Sequence, residues 1–143
     1  RVVNWSEELM GGLSEYKTQV GVDPAEDYIG PFYYRELDSG FDFAFKATQN
    51  HCNMTGIVHG GVLMTFADYC LSMVATDAYI EDCVTVSFNS EFISAGELDH
   101  IIHGAARVTL KTGSMVFVRG EITQGEQILM TFSAVVKRLR KKT

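Results

Sequence analysis

The stretch Asn53-Met54-Thr55-Gly56-Ile57-Val58-His59-Gly60-Gly61 runs without a break into the apolar segment from Val62 to Ala75, with Asp68 in its middle. Gly60-Gly61 followed by this segment predicts a helix from Gly60 to about Ala78. Val62, Leu63, Phe66, Tyr69, Leu71, Met73 and Val74 point in several directions around it, so the helix must be wrapped by other structure. Glycines at a first helical turn let an acceptor atom approach the backbone closely. The unpaired N–H groups there, with the positive end of the helix dipole, favour an oxygen that gains negative charge. Asp68 adds a base or nucleophile.

Outward from this helix the pattern changes to strands. Phe32 to Leu37 and Phe41 to Ala47 flank Asp38-Ser39-Gly40 and read as a hairpin; Phe41, Phe43 and Phe45 alternate with Asp42, Ala44 and Lys46, the period of a strand with one buried face. Beyond the helix, alternation returns in Val84/Val86/Phe88, Ile102/Gly104/Ala106/Val108/Leu110, Val116/Val118/Ile122 and Met130/Phe132/Ala134/Val136. Lys111-Thr112-Gly113-Ser114 and Gln124-Gly125-Glu126 are hairpin-type turns between the last three. At the N-terminal end, Asn4 with Glu7 resembles a capping box, and Trp5, Leu9, Leu13 and Tyr16 share a helical face. A short helix over residues 4–17 is expected, followed by a loop around Val22-Asp23-Pro24. The order is helix, two strands, one long helix, four strands. An antiparallel sheet curled around an apolar helix satisfies it, an α+β arrangement whose sheet edges and one helix side stay uncovered in a monomer.

At 143 residues and 46% hydrophobic, the chain suits a single domain over 1–143. Eighteen acidic against twelve basic residues give a net charge of -6, and Lys137, Arg138, Arg140, Lys141 and Lys142 crowd the last seven positions. An acidic body without a basic stripe argues against nucleic acid as a partner. Cys52, Cys70 and Cys83 are odd in number with no paired spacing, as expected of reduced thiols. Residues 1–10 carry no apolar signal core, and the longest apolar stretch contains Asp68 and falls short of a membrane span. The expectation is a soluble cytoplasmic protein with no membrane partner.

On the central helix Gly61, Thr65, Asp68 and Ser72 are spaced by four, three and four, one narrow stripe of an otherwise apolar cylinder. That stripe is either a solvent face or a site. Eight residues separate Gly60 from Asp68, a rise of about 12 Å, whereas a reacting centre lies roughly 3 Å from both its oxyanion donor and its base. If the two cooperate, Asp68 must come from a second copy whose helix lies antiparallel beside the first, giving two equivalent sites across a two-fold axis.

The string from Asn53 through His59-Gly60-Gly61 to Asp68, then Val84-Thr85-Val86 and Phe92-Ile93-Ser94-Ala95-Gly96, resembles the hot-dog acyl-CoA thioesterases of the phenylacetate-degradation type over residues 41–137. The resemblance implies a hot-dog fold and hydrolysis of an acyl-CoA to free acid and coenzyme A. It gives the Gly60 N–H the task of polarising the thioester carbonyl, and Asp68 of the facing subunit that of attacking it or activating water. Asn53 then helps position the water or carboxylate, His59 lends hydrogen bonds near the leaving thiolate, and Thr85 falls where some relatives carry a Ser that steadies the water. Gly61, Thr65 and Ser72 are the substrate-binding candidates. No cofactor is implied, and self-association as a homodimer, or a dimer of dimers, is. His59 also reads as a helix cap and Asn53 as a turn residue.

An ionised carboxylate can serve without a Ser-His relay because a thiolate leaves readily. Rival chemistries lack their residues. His51-Cys52 and His59 have no paired zinc spacing, and His100 and His103 on one strand point to opposite faces, so no metal is expected; Ser72 and Ser87 have no adjacent His. Hydratases of this fold place a His about five residues after the Asp, and Tyr69 to Ala78 contains none. The alternative from another class is a non-catalytic acyl-CoA-binding or sensing module, which does not require Asp68; a structural oligomer predicts no coenzyme A affinity. The basic tail reads as a solvated end, or as a contact for an anionic cofactor such as coenzyme A. Phe41, Phe43, Phe45, Tyr69 and Phe88 line an aryl or medium-chain acyl pocket or fill the core.

Overall fold

Asp38 and Ser39 make the two-residue turn between β1 (Tyr33–Leu37) and β2 (Gly40–Lys46), with Leu37 paired to Gly40 at φ 141. Gly125 at φ 59 opens the equivalent turn between β5 (Met115–Gln124) and β6 (Gln127–Leu139). With β3 (Asp82–Phe92) and β4 (Ile101–Lys111) these form a six-stranded sheet, order β1-β2-β4-β5-β6-β3, each neighbour antiparallel. The computed structural model describes residue 13 and residues 15–139.

The sheet wraps α2 (Gly60–Thr76), which touches β2 through β6. Phe66, Cys70, Leu71 and Met73 of the helix meet Phe43, Phe45, Ile102, Val116, Val118, Ile122, Met130 and Val136 of the strands in one buried core. Gly104 lets the helix settle: a Cβ there would lie 2.6 Å from Cys70 Sγ and 3.0 Å from the Phe66 ring. Truncating a buried ring such as Phe66 to Ala costs about 3–5 kcal/mol. This is the hot-dog arrangement that the order of elements called for. No helix among the described residues is long and apolar enough to cross a membrane.

Several expectations are corrected. The loop at Val22-Asp23-Pro24 starts a helix, α1 (Pro24–Ile29), because the Asp23 carboxylate accepts from Ala25 N and Glu26 N at 3.0 Å each and Pro24 pre-sets the first turn. The expected helix over 4–17 lies largely outside the described residues, but Lys17 exchanges backbone hydrogen bonds with Tyr34 of β1 (2.7 and 2.9 Å), so the sheet edge at β1 is partly covered. Ala44 is buried as deeply as Phe43 and Phe45, since Leu13 and Tyr16 cover the outer face of β2 there. Helix α2 stops at Thr76 rather than about Ala78, with Asp77, Ala78 and Tyr79 all at positive φ.

Nor is the whole tail solvated. Arg138 donates to the carbonyls of Thr112 (2.8 Å) and Gly113 (2.7 Å) and pairs with Glu81 at 3.1 Å, tying β6 to the β4–β5 turn. Arg140, Lys141 and Lys142 lie outside the described residues.

Candidate functional site

Asp68 sits on the open side of α2, and Thr85 Oγ1 donates to its Oδ1 at 2.6 Å. A register shift in β3 between Thr85 and Ser87 aims Thr85 at the helix. The expected single face of Val84, Val86 and Phe88 is thereby split: Val84 and Val86 are exposed, while Phe88 turns inward and stacks on Phe132 with centroids 5.9 Å apart. The bond occupies one side of the carboxylate, and Oδ2 has no hydrogen-bond partner among the described residues.

The helix start is held from below. His59 is the N-cap; its backbone N–H bonds to His51 O at 2.8 Å, and its Nδ1 accepts a long 3.4 Å contact from Gly61 N–H. The neighbouring Gly60 N–H meets no acceptor among the described residues. The Phe92 ring lies against Gly60, where a Cβ would come within 3.0 Å of it. His51 itself is buried: its Nδ1 accepts from Thr48 N–H at 2.9 Å, and its Nε2–H donates to Ile29 O, pinning the end of α1 to this loop.

Asn53 lies in the loop that leads to this turn. Its Oδ1 accepts from Thr55 N (2.9 Å), Thr55 Oγ1 (2.7 Å) and Ile57 N (3.2 Å), so the oxygen shapes the loop, while the amide NH2 of this exposed residue has no partner among the described residues. Thr65 Oγ1 donates to Gly61 O at 3.0 Å. The polar stripe does not stay open along its length: Gly61 and Asp68 are exposed, but Ser72 is 8% exposed beneath β3, where it is the hydrogen-bond partner of Cys83. Burial pushes the thiols of Cys70 and Cys83 up, so neither is poised as a thiolate.

Two pairs are thus assembled, Asp68 with Thr85 and Gly60 with His59. The continuous helix keeps them about 12 Å apart. Among the described residues no three His, Cys, Asp or Glu gather as a metal site, and His100 falls in the turn before β4 rather than on the strand.

A cavity of about 310 Å³ opens between α1 and α2, lined by Glu26 of α1, Tyr69 and Met73 of α2, Phe32, Tyr34 and Tyr79; Asp68 is not in its wall. Of the five aromatic residues offered for an acyl pocket, only Tyr69 lines it; Phe43 and Phe45 are core. Sequence reasoning missed Glu26 and Tyr79. The Asp23-Pro24 pair was the signal for α1, whereas the left-handed run that delivers Tyr79 carries no glycine to announce it.

The profile of the Thioesterase superfamily matches residues 55–131. A Pseudomonas aeruginosa protein provisionally assigned as an esterase is 28% identical over 115 residues, 78% of this chain and 86% of that one. Among solved structures, a mutant of the phenylacetic acid degradation protein PaaI from Thermus thermophilus superposes with a TM-score of 0.73 at 18% identity, covering 82% of this chain and 100% of that one. A hypothetical thioesterase of Streptococcus pneumoniae with coenzyme A gives 0.70 at 18% identity, covering 78% and 91%. At these identities the structural likeness speaks for the fold.

Proposed function

The chain belongs to the thioesterase superfamily and is a thioester hydrolase, and from that premise we propose that it cleaves acyl-CoA at sites shared between two copies of itself, in the cytoplasm. The observation that carries the reading is the exposed Asp68 carboxylate, held by Thr85 at 2.6 Å on a helix that is otherwise apolar. The coenzyme A seen with the streptococcal relative supports the choice of thioester.

The acyl carbonyl oxygen lies on the Gly60 N–H of one copy and the acyl carbon beside Asp68 of the other. Oδ2 either takes a proton from a water whose oxygen attacks the carbon, or attacks the carbon itself to form an anhydride that water then opens. Thr85 holds Oδ1 in both routes. The oxyanion gains a hydrogen bond from Gly60 N–H worth roughly 3 kcal/mol, and collapse expels the coenzyme A thiolate. His59 stands next to the departing sulfur, and the Asn53 amide faces the incoming water. Gly61 and Thr65 border the ligand, while Ser72, covered by β3, takes no part within one copy.

The second copy packs on the bare edge of β3, where Val84 and Val86 are exposed, and lays its α2 antiparallel to the first. Such dimers then pair to a tetramer. The acyl group is an aryl or medium-length chain. Thiol release from a panel of acyl-CoAs, followed with a disulfide reagent on wild type and Asp68→Asn, tests the reading: turnover that collapses in the near-isosteric variant is expected, and undiminished turnover overturns it.

A further inference from the structure

The curled sheet brings its two edge strands toward each other, and the cavity fills the gap: Tyr34 of β1 lines one side and Asp82 of β3 the other. Its volume of about 310 Å³ is at the small end of ligand pockets. The wall is aromatic, and the charged lining has one sign. Asp23, Glu26, Asp27 and Asp82 line the cavity, and no Lys, Arg or His among the described residues does.

Two of these carboxylates already have work. Asp23 caps α1, and Asp27 accepts from Gly21 N–H at 2.8 Å. Glu26, half-buried and hydrogen-bonded to the Asp23 side chain, is pushed up to about 7, first by its burial, then by the charges of Asp23 and Asp68, then by that bond and Asp27; near neutral pH a proton offsets the negative charge of the cavity. The second, independent sign is Tyr69. It is 7% exposed, its ring is packed on Phe32, Phe43 and Phe66, and its hydroxyl has no hydrogen-bond partner among the described residues. Tyr69 itself lines the cavity, and its phenol lies within electrostatic range of the buried Cys70 and of Glu26, Tyr79 and Tyr34, the last three also lining residues. The hydroxyl keeps accessible surface at the cavity wall, so its donor is free to meet water or a ligand there.

We infer that this cavity takes the far end of the acyl group and selects one that carries a positive charge, with Glu26 as the residue that decides. The inference rests on the thioesterase reading, in which the reacting carbon lies beside Asp68; that carboxylate stands within electrostatic range of Glu26 and Tyr79, two of the cavity's residues. Tyr34, Tyr69 and Tyr79 make the wall aromatic, and a quaternary ammonium is held by aromatic ring faces and by carboxylates together. The cation replaces the proton on Glu26. A tail ending in a carboxylate meets only like charge.

The test compares three acyl-CoAs of matched length: trimethylammonio-hexanoyl-CoA, its neutral tert-butyl isostere and pimeloyl-CoA. In the wild type kcat/KM should fall in that order, with at least about tenfold between the first and the last. Glu26→Gln should compress the ratio, and Glu26→Lys should invert it. An NMR titration with hexyltrimethylammonium, reading the Tyr69 and Glu26 amides, runs alongside as a probe independent of turnover. Hydrolysis of all three tails at equal rates, or a ratio that Glu26→Lys leaves alone, overturns the inference while the thioesterase reading stands. No hydrolysis of any of them, with the ammonium still bound in the wild type and released in Glu26→Lys, keeps the cation site and overturns the thioesterase reading. Neither hydrolysis nor binding overturns both.

Discussion

The two edges of the sheet are treated in opposite ways. Along β1 the edge is closed from within the chain: Lys17 pairs with Tyr34, Leu13 is fully buried, and Tyr16 donates to Asp42 while the Arg35 guanidinium grips the same carboxylate at 2.7 Å and covers the Tyr16 ring at 4.7 Å. Along β3 none of the described residues pairs with the outer side, and Val86 is 52% exposed in its middle. A bare apolar edge is a hazard that a folded chain covers or uses. In the function proposed above, the β1 edge serves stability, and the β3 edge, which carries Thr85 to Asp68, serves assembly and catalysis.

The sharpest way to separate the two edges is to change each side and read both properties. Asp68→Asn on the β3 side should lower kcat by about a thousandfold, the middle of the range for a lost general base, with the melting temperature unchanged. Steady-state thiol release and a thermal melt on one preparation check it. Val86→Lys places like charges at the same edge of both copies. It should shift sedimentation to the monomer, with activity falling at least about tenfold in step with the fraction dissociated; a fully active monomer would break the assignment of β3 to assembly.

Smaller effects sharpen the contrast. Thr85→Val removes the 2.6 Å donor to Asp68 and should cost about tenfold in kcat/KM, the size of one hydrogen bond to a charged group, with melting held. Arg35→Ala, on the β1 side, strips Asp42 of its cation and Tyr16 of its cover. A loss of about 1–3 kcal/mol in urea unfolding is expected, with kcat unchanged well below the transition.

The smallest effect is on pH. Glu26 sits in the gap where the edges meet, and its folded pKa of about 7 is raised above its ordinary value of 4.5. The stability it contributes is therefore fully present below about 4.5 and is lost as pH rises through 7. Glu26→Gln should flatten that slope, making the variant relatively more stable at pH 8 than at pH 5 when urea midpoints are compared with the wild type.

Legibility followed the range of the interactions. Helix α2 began where Gly60-Gly61 and its apolar run placed it, and the β1–β2 and β5–β6 turns fell at Asp38-Ser39 and Gly125-Glu126, because turn chemistry and periodicity are local. The end of α2 was read two residues long because Asp77 takes a left-handed conformation more common for Gly or Asn. Helix α1 has a local signal in Asp23-Pro24, but at six residues it is too short to show an apolar period of its own. Thr85 was nameable by resemblance, yet its direction depended on a bulge that alternation cannot register.

The chain by itself determined the order of its elements, the apolar helix that had to be wrapped and the carboxylate set into it, since each follows from spacing within a few residues. Only the tertiary structure decided which sheet edge is closed, that Ser72 is covered while Asp68 stays open, and that Glu26, Tyr69 and Tyr79, far apart along the chain, face one cavity. Those outcomes depend on how far a twisted sheet curls before its edges approach, a property of the packed whole rather than of any window of sequence.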